Sequence, residues 1–490
     1  MLTHFRLLGT LALAAIPVTQ TGAQTPLSSP VSPAAPASAS LAGLWVGSLD
    51  AGGSTLRLAV HIAPVPGGSY ASTLDSLDQG ALGIAVTTTT FAHNTLTLSL
   101  PKLTAQFVGT LDKDGKTLTG TWTQGAHSLP FTLTKTDKMP LGPRRPQEPH
   151  PPFPYVMRDV VYANKAGGVT LAGTLSMPPG KGPFPAALLI TGSGSHDRDE
   201  TLFGHKPFLV IADYLTRRGI AVLRVDDRGV GGSTGSKSQA DDHDFAGDVR
   251  AGVAFLQTQP EINPRKIGLI GHSEGGLIAP LAAANSHTVA FIVLLAGPGV
   301  PGQQILREQL ALILQSQHAD PALIAWAGRQ QAKTFAILKT TPDNAQAKAK
   351  LDALLQASMT HLPANLQPYG TEYQANFAAQ EQTILTPWFR GVLASDPAAV
   401  LEQVHCPVLA LGGAKDLQVP AAQSLPAIAQ ALKENGNKDV TVRELPHLNH
   451  LFQTAPTGAI AEYAQIEETF SPVALKIMGD WIARRVLPPH

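Results

Sequence analysis

The chain predicts an α/β fold, with a mainly parallel sheet covered by helices on both faces, a helical cap, and a small antiparallel β domain in front. Three observations predict it. From about residue 156, short apolar runs alternate with amphipathic stretches in the rhythm strand, helix, strand, helix. Within that region Gly271-His272-Ser273-Glu274-Gly275 joins the apolar run Lys266-Ile267-Gly268-Leu269-Ile270 to the apolar stretch from Gly276 to Ala284. Residues 41–135 instead alternate apolar and polar positions in short runs broken by turn residues, as an antiparallel sheet does.

At the N-terminus, Met1-Leu2-Thr3-His4-Phe5-Arg6 carries modest positive charge, Leu7 to Val18 is apolar, and Thr21-Gly22-Ala23 offers small residues before Gln24. Residues 1–23 therefore predict a signal peptide, removed on export to the periplasm or the medium. The apolar run is too short to span a bilayer, so no stable membrane insertion is expected after cleavage. Residues 24–40, rich in Pro, Ser and Ala, predict a linker. In the β domain over 41–135, Thr55-Leu56-Arg57-Leu58-Ala59-Val60 and Thr95-Leu96-Thr97-Leu98-Ser99-Leu100 read as strands. Gly67-Gly68 and Asp112-Lys113-Asp114-Gly115 read as turns, and Trp45 and Trp122 as core residues. The proline-rich stretch 136–155 predicts a semi-rigid spacer.

Residues 156–490 carry the α/β pattern. Phe184 to Ile190 and Ile220 to Val225 read as buried strands. The second ends at Asp226-Asp227-Arg228-Gly229, a polar turn whose charges are expected to pair with one another. Phe245 to Gln257 predicts a helix and Val289 to Ala296 a strand. Residues 301–395 interrupt the rhythm with Ala-, Gln- and Leu-rich helices such as Gln309 to Gln317 and Ala345 to Ala357. An excursion at that point of the chain sits over the carboxyl edge of the sheet and predicts a lid, with Trp388 and Phe389 either lining its pocket or packing its interior. Cys406 to Gly413 predicts a strand, Pro420 to Asn435 a helix and Asp439 to Leu445 a final strand.

The chemistry-bearing residues fall on the loops that leave these strands. A strand that turns sharply into a helix at a serine flanked by glycines is how an α/β-hydrolase presents a nucleophile, which makes Ser273 the candidate. A hydroxyl needs a base to take its proton, and an imidazole titrating near neutrality suits that task. Partners in such a fold follow in the order Ser, Asp or Glu, His. Asp416, 143 residues on and just past a predicted strand, is the candidate acid. His447 and His450, 31 and 34 residues past Asp416, compete for the base, and spacing alone leaves both open. Thr191-Gly192-Ser193-Gly194-Ser195 follows a buried strand and can aim N–H groups at an oxyanion. Ser193 is the first candidate donor there and Gly194 the next, with the N–H of Glu274 as the second arm.

Composition narrows the classes. Thirty-six basic residues balance thirty-six acidic ones, so no net field draws nucleic acid or an anionic membrane. The single cysteine, Cys406, lies in a predicted core strand and forms no intrachain disulfide. No clustered Cys/His pattern suggests a metal, and the chemistry described needs no cofactor.

Several stretches together resemble the secreted or periplasmic α/β-hydrolases of the esterase and prolyl-oligopeptidase-like group. They are Thr191-Gly192-Ser193-Gly194 with Asp197-Arg198-Asp199-Glu200, Gly204-His205-Lys206-Pro207-Phe208, Asp226-Asp227-Arg228-Gly229, Gly271 to Gly276, Lys415-Asp416-Leu417-Gln418-Val419-Pro420, and Leu448-Asn449-His450-Leu451-Phe452-Gln453. The pattern departs at Ser195-His196, where proline and a polar residue would stand. The resemblance implies Ser273, Asp416 and His450 as a triad, and so favours His450 over His447. It implies a serine hydrolase cleaving carboxylic esters, with a small-molecule substrate of short acyl chain. A peptidase or amidase using the same triad is the alternative, and a glycan- or lipid-binding protein a third.

Overall fold

The computed structural model describes residues 41–50, 55–77, 81–124, 127–139, 143–434 and 436–488. The expected signal peptide and first linker lie outside them. The chain divides into two compact units, the first ending at Arg144 and the second running from Arg145.

The first unit is one nine-stranded antiparallel sheet. Its strands are β1 (Gly43–Asp50), β2 (Thr55–Val65), β3 (Ser69–Ser76), β4 (Ala81–Ala85), β5 (Thr88–Ala92), β6 (Thr95–Leu100), β7 (Ala105–Leu111), β8 (Thr117–Gln124) and β9 (His127–Thr136). Their order is β4-β3-β2-β1-β9-β8-β7-β6-β5, and the sheet bends until the two ends meet. There Thr89 Oγ1–H of β5 donates to Ser72 Oγ of β3 at 3.0 Å. Alternation places Trp45, Leu58, Val60, Leu98, Phe107, Trp122 and Phe131 inside. Phe107 and Phe131 pack edge to face at 5.5 Å, and the Trp45 indole N–H is satisfied by Leu41 O at 2.8 Å.

The second unit is built on an eight-stranded sheet of β10 (Val156–Asn164), β11 (Val169–Met177), β12 (Phe184–Ile190), β13 (Ala221–Val225), β14 (Ile262–His272), β15 (Phe291–Leu295), β16 (Val408–Gly413) and β17 (Val440–Leu445). The order is β10-β11-β13-β12-β14-β15-β16-β17. The hairpin β10–β11 is antiparallel and pairs antiparallel with β13, while every pairing from β13 to β17 is parallel. Among the described residues eleven α-helices accompany it: α1 (Pro207–Thr216), α2 (Asp242–Gln257), α3 (Gly275–Ala283), α4 (Gly302–Ser316), α5 (Pro321–Thr340), α6 (Asn344–Thr360), α7 (Gly370–Ile384), α8 (Pro387–Ala394), α9 (Pro397–Leu401), α10 (Ala421–Glu434) and α11 (Pro472–Val486).

The central strands are apolar at consecutive positions because both faces are covered. Ala187 and Leu189 of β12 face α1 and α11, whereas Leu188 and Ile190 face α2, α3 and α10. Helices α4 to α9 form the excursion between β15 and β16, and their apolar faces share the core on the α2–α3 side. Parallel pairing puts the loops after β12, β13, β14, β16 and β17 on one edge, which is where Ser193, Asp227, Ser273, Asp416 and His450 stand.

Two expectations need correction. The spacer expected over 136–155 is part of the second unit from Arg145 onward. The Arg145 guanidinium donates to the carbonyls of Phe203, Gly204, Ala464 and Ile466 at 2.8–3.1 Å. Gln147 ties in Thr469 and Phe470 through their backbone. Proline-rich composition made the stretch stiff, but five-donor Arg145 met a ring of free carbonyls. Second, the charges of Asp226-Asp227-Arg228 do not pair with one another. Asp226 binds Arg198, Asp227 binds Lys237, and Arg228 binds Asp248. Neighbours in a tight turn point apart, so each finds its partner on another segment.

Candidate active site

Ser273 stands on the turn between β14 and α3, with φ of +53°. A side chain with Cβ enters that region at a cost, so the surrounding contacts must hold it there. Its N–H donates to Leu295 O at 2.8 Å and its carbonyl accepts from Gly276 N–H at 2.8 Å. A Cβ on Gly271 would lie 2.0 Å from Gly275 O, and one on Gly275 would lie 2.3 Å from Ile190 O. Both positions exclude any side chain, and this close approach lets strand, turn and helix stack so tightly.

The three residues that the sequence singled out meet here. Ser273 Oγ lies 3.1 Å from His450 Nε2, and His450 Nδ1 lies 2.8 Å from Asp416 Oδ2. A carboxylate accepts, so Nδ1 carries the proton and Nε2 presents a lone pair toward the Ser273 hydroxyl. Asp416 Oδ1 accepts from the N–H groups of Gln418 and Val419 at 2.8 and 2.9 Å, so the backbone holds the carboxylate while Oδ2 meets His450. His447 is exposed at φ +67° on the turn after β17, three residues short of the site. The turn itself is held by Asn449, fully buried, whose Oδ1 accepts from Leu451 and Gln453 N–H.

The loop after β12 lies against the serine, since a Cβ on Gly192 would come 3.2 Å from Ser273 Cβ. Among the described residues, the N–H groups of Ser193, Gly194 and Glu274 meet no acceptor. Gly192 N–H differs from them: it donates to Glu200 Oε1 at 2.8 Å.

Sequence reasoning assigned no role to a layer of buried polar groups beneath these residues. His272 sends Nδ1 to Glu200 Oε1 and Nε2 to His450 O, both at 3.0 Å. Both partners accept, so the ring donates twice only as imidazolium. Burial opposes that charge, but the Glu200 carboxylate outweighs it and raises the ring above its usual value. His272 thereby joins the loop-holding Glu200 to the backbone of His450. Both residues stood in quoted motifs, but only the tertiary fold brings them together.

Glu274, directly after the serine, turns its carboxylate toward the cap. Oε1 accepts from the indole N–H of Trp388 on α8, and Oε2 has no hydrogen-bond donor. Asp242, at the start of α2, is also buried with Oδ1 unsatisfied. Burial first, then repulsion from Glu274, pushes its pKa up to about 8. Trp388, expected either to line a pocket or to pack the lid, thus touches the residue next to Ser273. Among the described residues no group of His, Cys, Asp and Glu is arranged to hold a metal ion, and no helix is long and apolar enough to cross a membrane.

A parallel sheet with a serine on the strand-to-helix turn, a buried carboxylate–imidazole pair beside it and a helical excursion above defines an α/β-hydrolase enzyme. Over residues 206–455, just over half of the chain, the sequence matches the family described as serine aminopeptidase, S33, and the protein belongs to that family of serine hydrolases. Esterase EstD of Thermotoga maritima is 31% identical over 140 residues, covering 29% of this chain and 33% of EstD. Esterase FrsA of an Enterobacter species is 27% identical over 151 residues, covering 30% of this chain and 33% of FrsA. The chain spans between a third and about half of the length of the relatives it matches. The solved α/β hydrolase GrgF from Penicillium sp. sh18 is 18% identical, covers 68% of this chain with 99% of its own, and has a TM-score of 0.42.

The raised pKa of Asp242 sets a direction for stability. Between its unfolded value of about 3.9 and its folded value the native state binds the extra proton, so stability falls as pH rises through that window. Asp242→Asn removes the titration. Its melting temperature should exceed that of wild type by a margin that grows from pH 5 to pH 8.5. An equal margin at both pH values would contradict the assignment.

Proposed function

We propose that the protein hydrolyses carboxylic esters of small acyl groups through Ser273, His450 and Asp416. The observation that carries this reading is the continuous contact from Asp416 Oδ2 through His450 to Ser273 Oγ, at 2.8 and 3.1 Å. Ser273 Oγ attacks the ester carbonyl carbon while His450 Nε2 takes its proton. The oxyanion rests on the N–H groups of Ser193 and Glu274, with Gly194 as the alternative donor in the loop. Collapse breaks the bond to the alkoxy group, and His450 returns the proton to the departing alcohol. Water then attacks the acyl-enzyme, again losing its proton to Nε2, and releases the carboxylic acid and free serine. None of these steps calls for a metal or an organic cofactor.

The names of the relatives EstD and FrsA support ester over amide. The family description supports a second reading, an aminopeptidase or amidase working through the same residues. Export to the periplasm or medium remains part of the proposal on the strength of residues 1–23 alone.

Two experiments test these readings. Ser273→Ala and His450→Ala should each lower turnover of 4-nitrophenyl butyrate by about 10⁴-fold or more, because triad members act as a unit. His447→Ala should stay close to wild type, and the reverse order of the two histidines would overturn the assignment. Separately, 4-nitrophenyl acetate and butyrate should be turned over much faster than aminoacyl-4-nitroanilides. Faster cleavage of the anilides would replace the esterase reading by the peptidase one.

A further inference from the structure

Lys237 lies in a single turn, Lys237–Gln239, outside every motif discussed above. Its side chain is 11% exposed. Nζ donates to Gly192 O at 3.3 Å and to Asp227 Oδ2 at 2.9 Å. It stands 3.9 Å from Glu274 Oε2 and 5.1 Å from the centre of the Phe245 ring. Burial works against the ammonium, but the Asp227 and Glu274 carboxylates outweigh it and raise the pKa, so the cation is kept. A buried charge placed on a backbone carbonyl, beside the residue that follows Ser273, calls for a reason.

The Gly192 carbonyl is one half of a peptide group whose other half is the Ser193 N–H. That peptide is trans, so it is planar and the two groups point in opposite directions. Whatever holds the oxygen therefore aims the N–H. The rest of the loop is tied as well: Gly192 N–H to Glu200 Oε1 at 2.8 Å, Ser193 O to the His196 ring at 2.7 Å, and Thr191 Oγ1 and His196 N–H to Asp227 at 2.6 and 2.9 Å. The Ser193 N–H is left over, without an acceptor among the described residues, in a loop that lies against Ser273.

We propose that Lys237 is a positioning residue of the oxyanion site: its ammonium holds the Gly192-Ser193 peptide so that the Ser193 N–H faces the developing negative charge. The cation also polarises that peptide, which strengthens the N–H as a donor. The inference rests on Ser273 as nucleophile and Ser193 as donor. Lys237 touches neither substrate nor serine and acts through one peptide group. Asp227 serves twice, as counter-ion to the lysine and as anchor of the loop on either side of Ser193.

The test compares Lys237→Met and Lys237→Arg with wild type on 4-nitrophenyl butyrate, together with inhibition by a trifluoromethyl ketone. That ketone forms a hemiketal whose oxyanion occupies the same site. Lys237→Met should lower kcat by about 10²-fold, the scale of losing one oxyanion donor, with KM changed by less than about twofold, and should weaken the ketone by a similar factor. Lys237→Arg should recover most of both losses. If Lys237→Met fails to fold, Lys237→Leu, which likewise has no donor, carries the same measurement. Unchanged kcat, or a loss in KM alone, would overturn the role of Lys237. A control separates the two levels: full activity of Ser273→Ala would instead overturn the underlying reading of the site.

Discussion

Everything at the site depends on the backbone of Ser273 being held at positive φ. No local preference places serine there, so the neighbours must supply the constraint. Gly271 and Gly275 supply it by having no side chains, which lets the end of β14, the turn and the start of α3 approach within backbone contact. The N–H of Ser273 is claimed by β15 through Leu295 O and its carbonyl by Gly276. With both backbone groups held, the Ser273 side chain meets the loop that carries His450, its Oγ 3.1 Å from Nε2. The same turn leaves the N–H of Glu274 without an acceptor among the described residues, so the proposed nucleophile and one proposed anion donor come from a single piece of strained chain.

A second economy lies in the buried charges below. Glu200 accepts from Gly192 N–H and from His272, and His272 donates in turn to the carbonyl of His450. The loop after β12 and the turn after β17 are thereby tied to one doubly donating imidazolium. On the cap side, Glu274 carries the indole of Trp388, so α8 is attached to the residue beside the serine. Glu274, Asp242, Asp227 and Lys237 leave more acid than base in a region from which water is largely excluded. Burial raises the carboxyl groups of both Asp242 and Glu274 above their ordinary values, so the pair holds protons more tightly than exposed carboxyls do.

How much of this was legible in the sequence varies with the range of the interaction. Strand runs and the glycine-flanked serine are local, and β12, β14 and α3 stand where their apolar patterns put them. The antiparallel hairpin β10–β11 was not anticipated. Its outer strand alternates exposed Asp159, Val161 and Ala163 with buried Val160, Tyr162 and Asn164, a weaker pattern than the solidly buried end of β14. Asp416 was reachable because it follows a buried strand. The choice between His447 and His450 was not reachable from spacing, because a three-residue difference on a tight turn decides which ring is exposed and which is buried. Lys237 and Asp242 had no signal at all. Their partners are Gly192, Asp227 and Glu274, and only the loops converging on one sheet edge create that environment. The tether before the second unit misled for the related reason that composition reports stiffness, whereas Arg145 was docked by distant carbonyls.

The most direct measurement is reaction of the intact protein with a fluorophosphonate, followed by peptide mapping of the modified residue by mass spectrometry. The constraint on Ser273 and its contact with His450 Nε2 predict stoichiometric phosphonylation at Ser273 and nowhere else. Modification of another residue, or an unmodified Ser273 after exhaustive treatment of folded protein, would contradict the account.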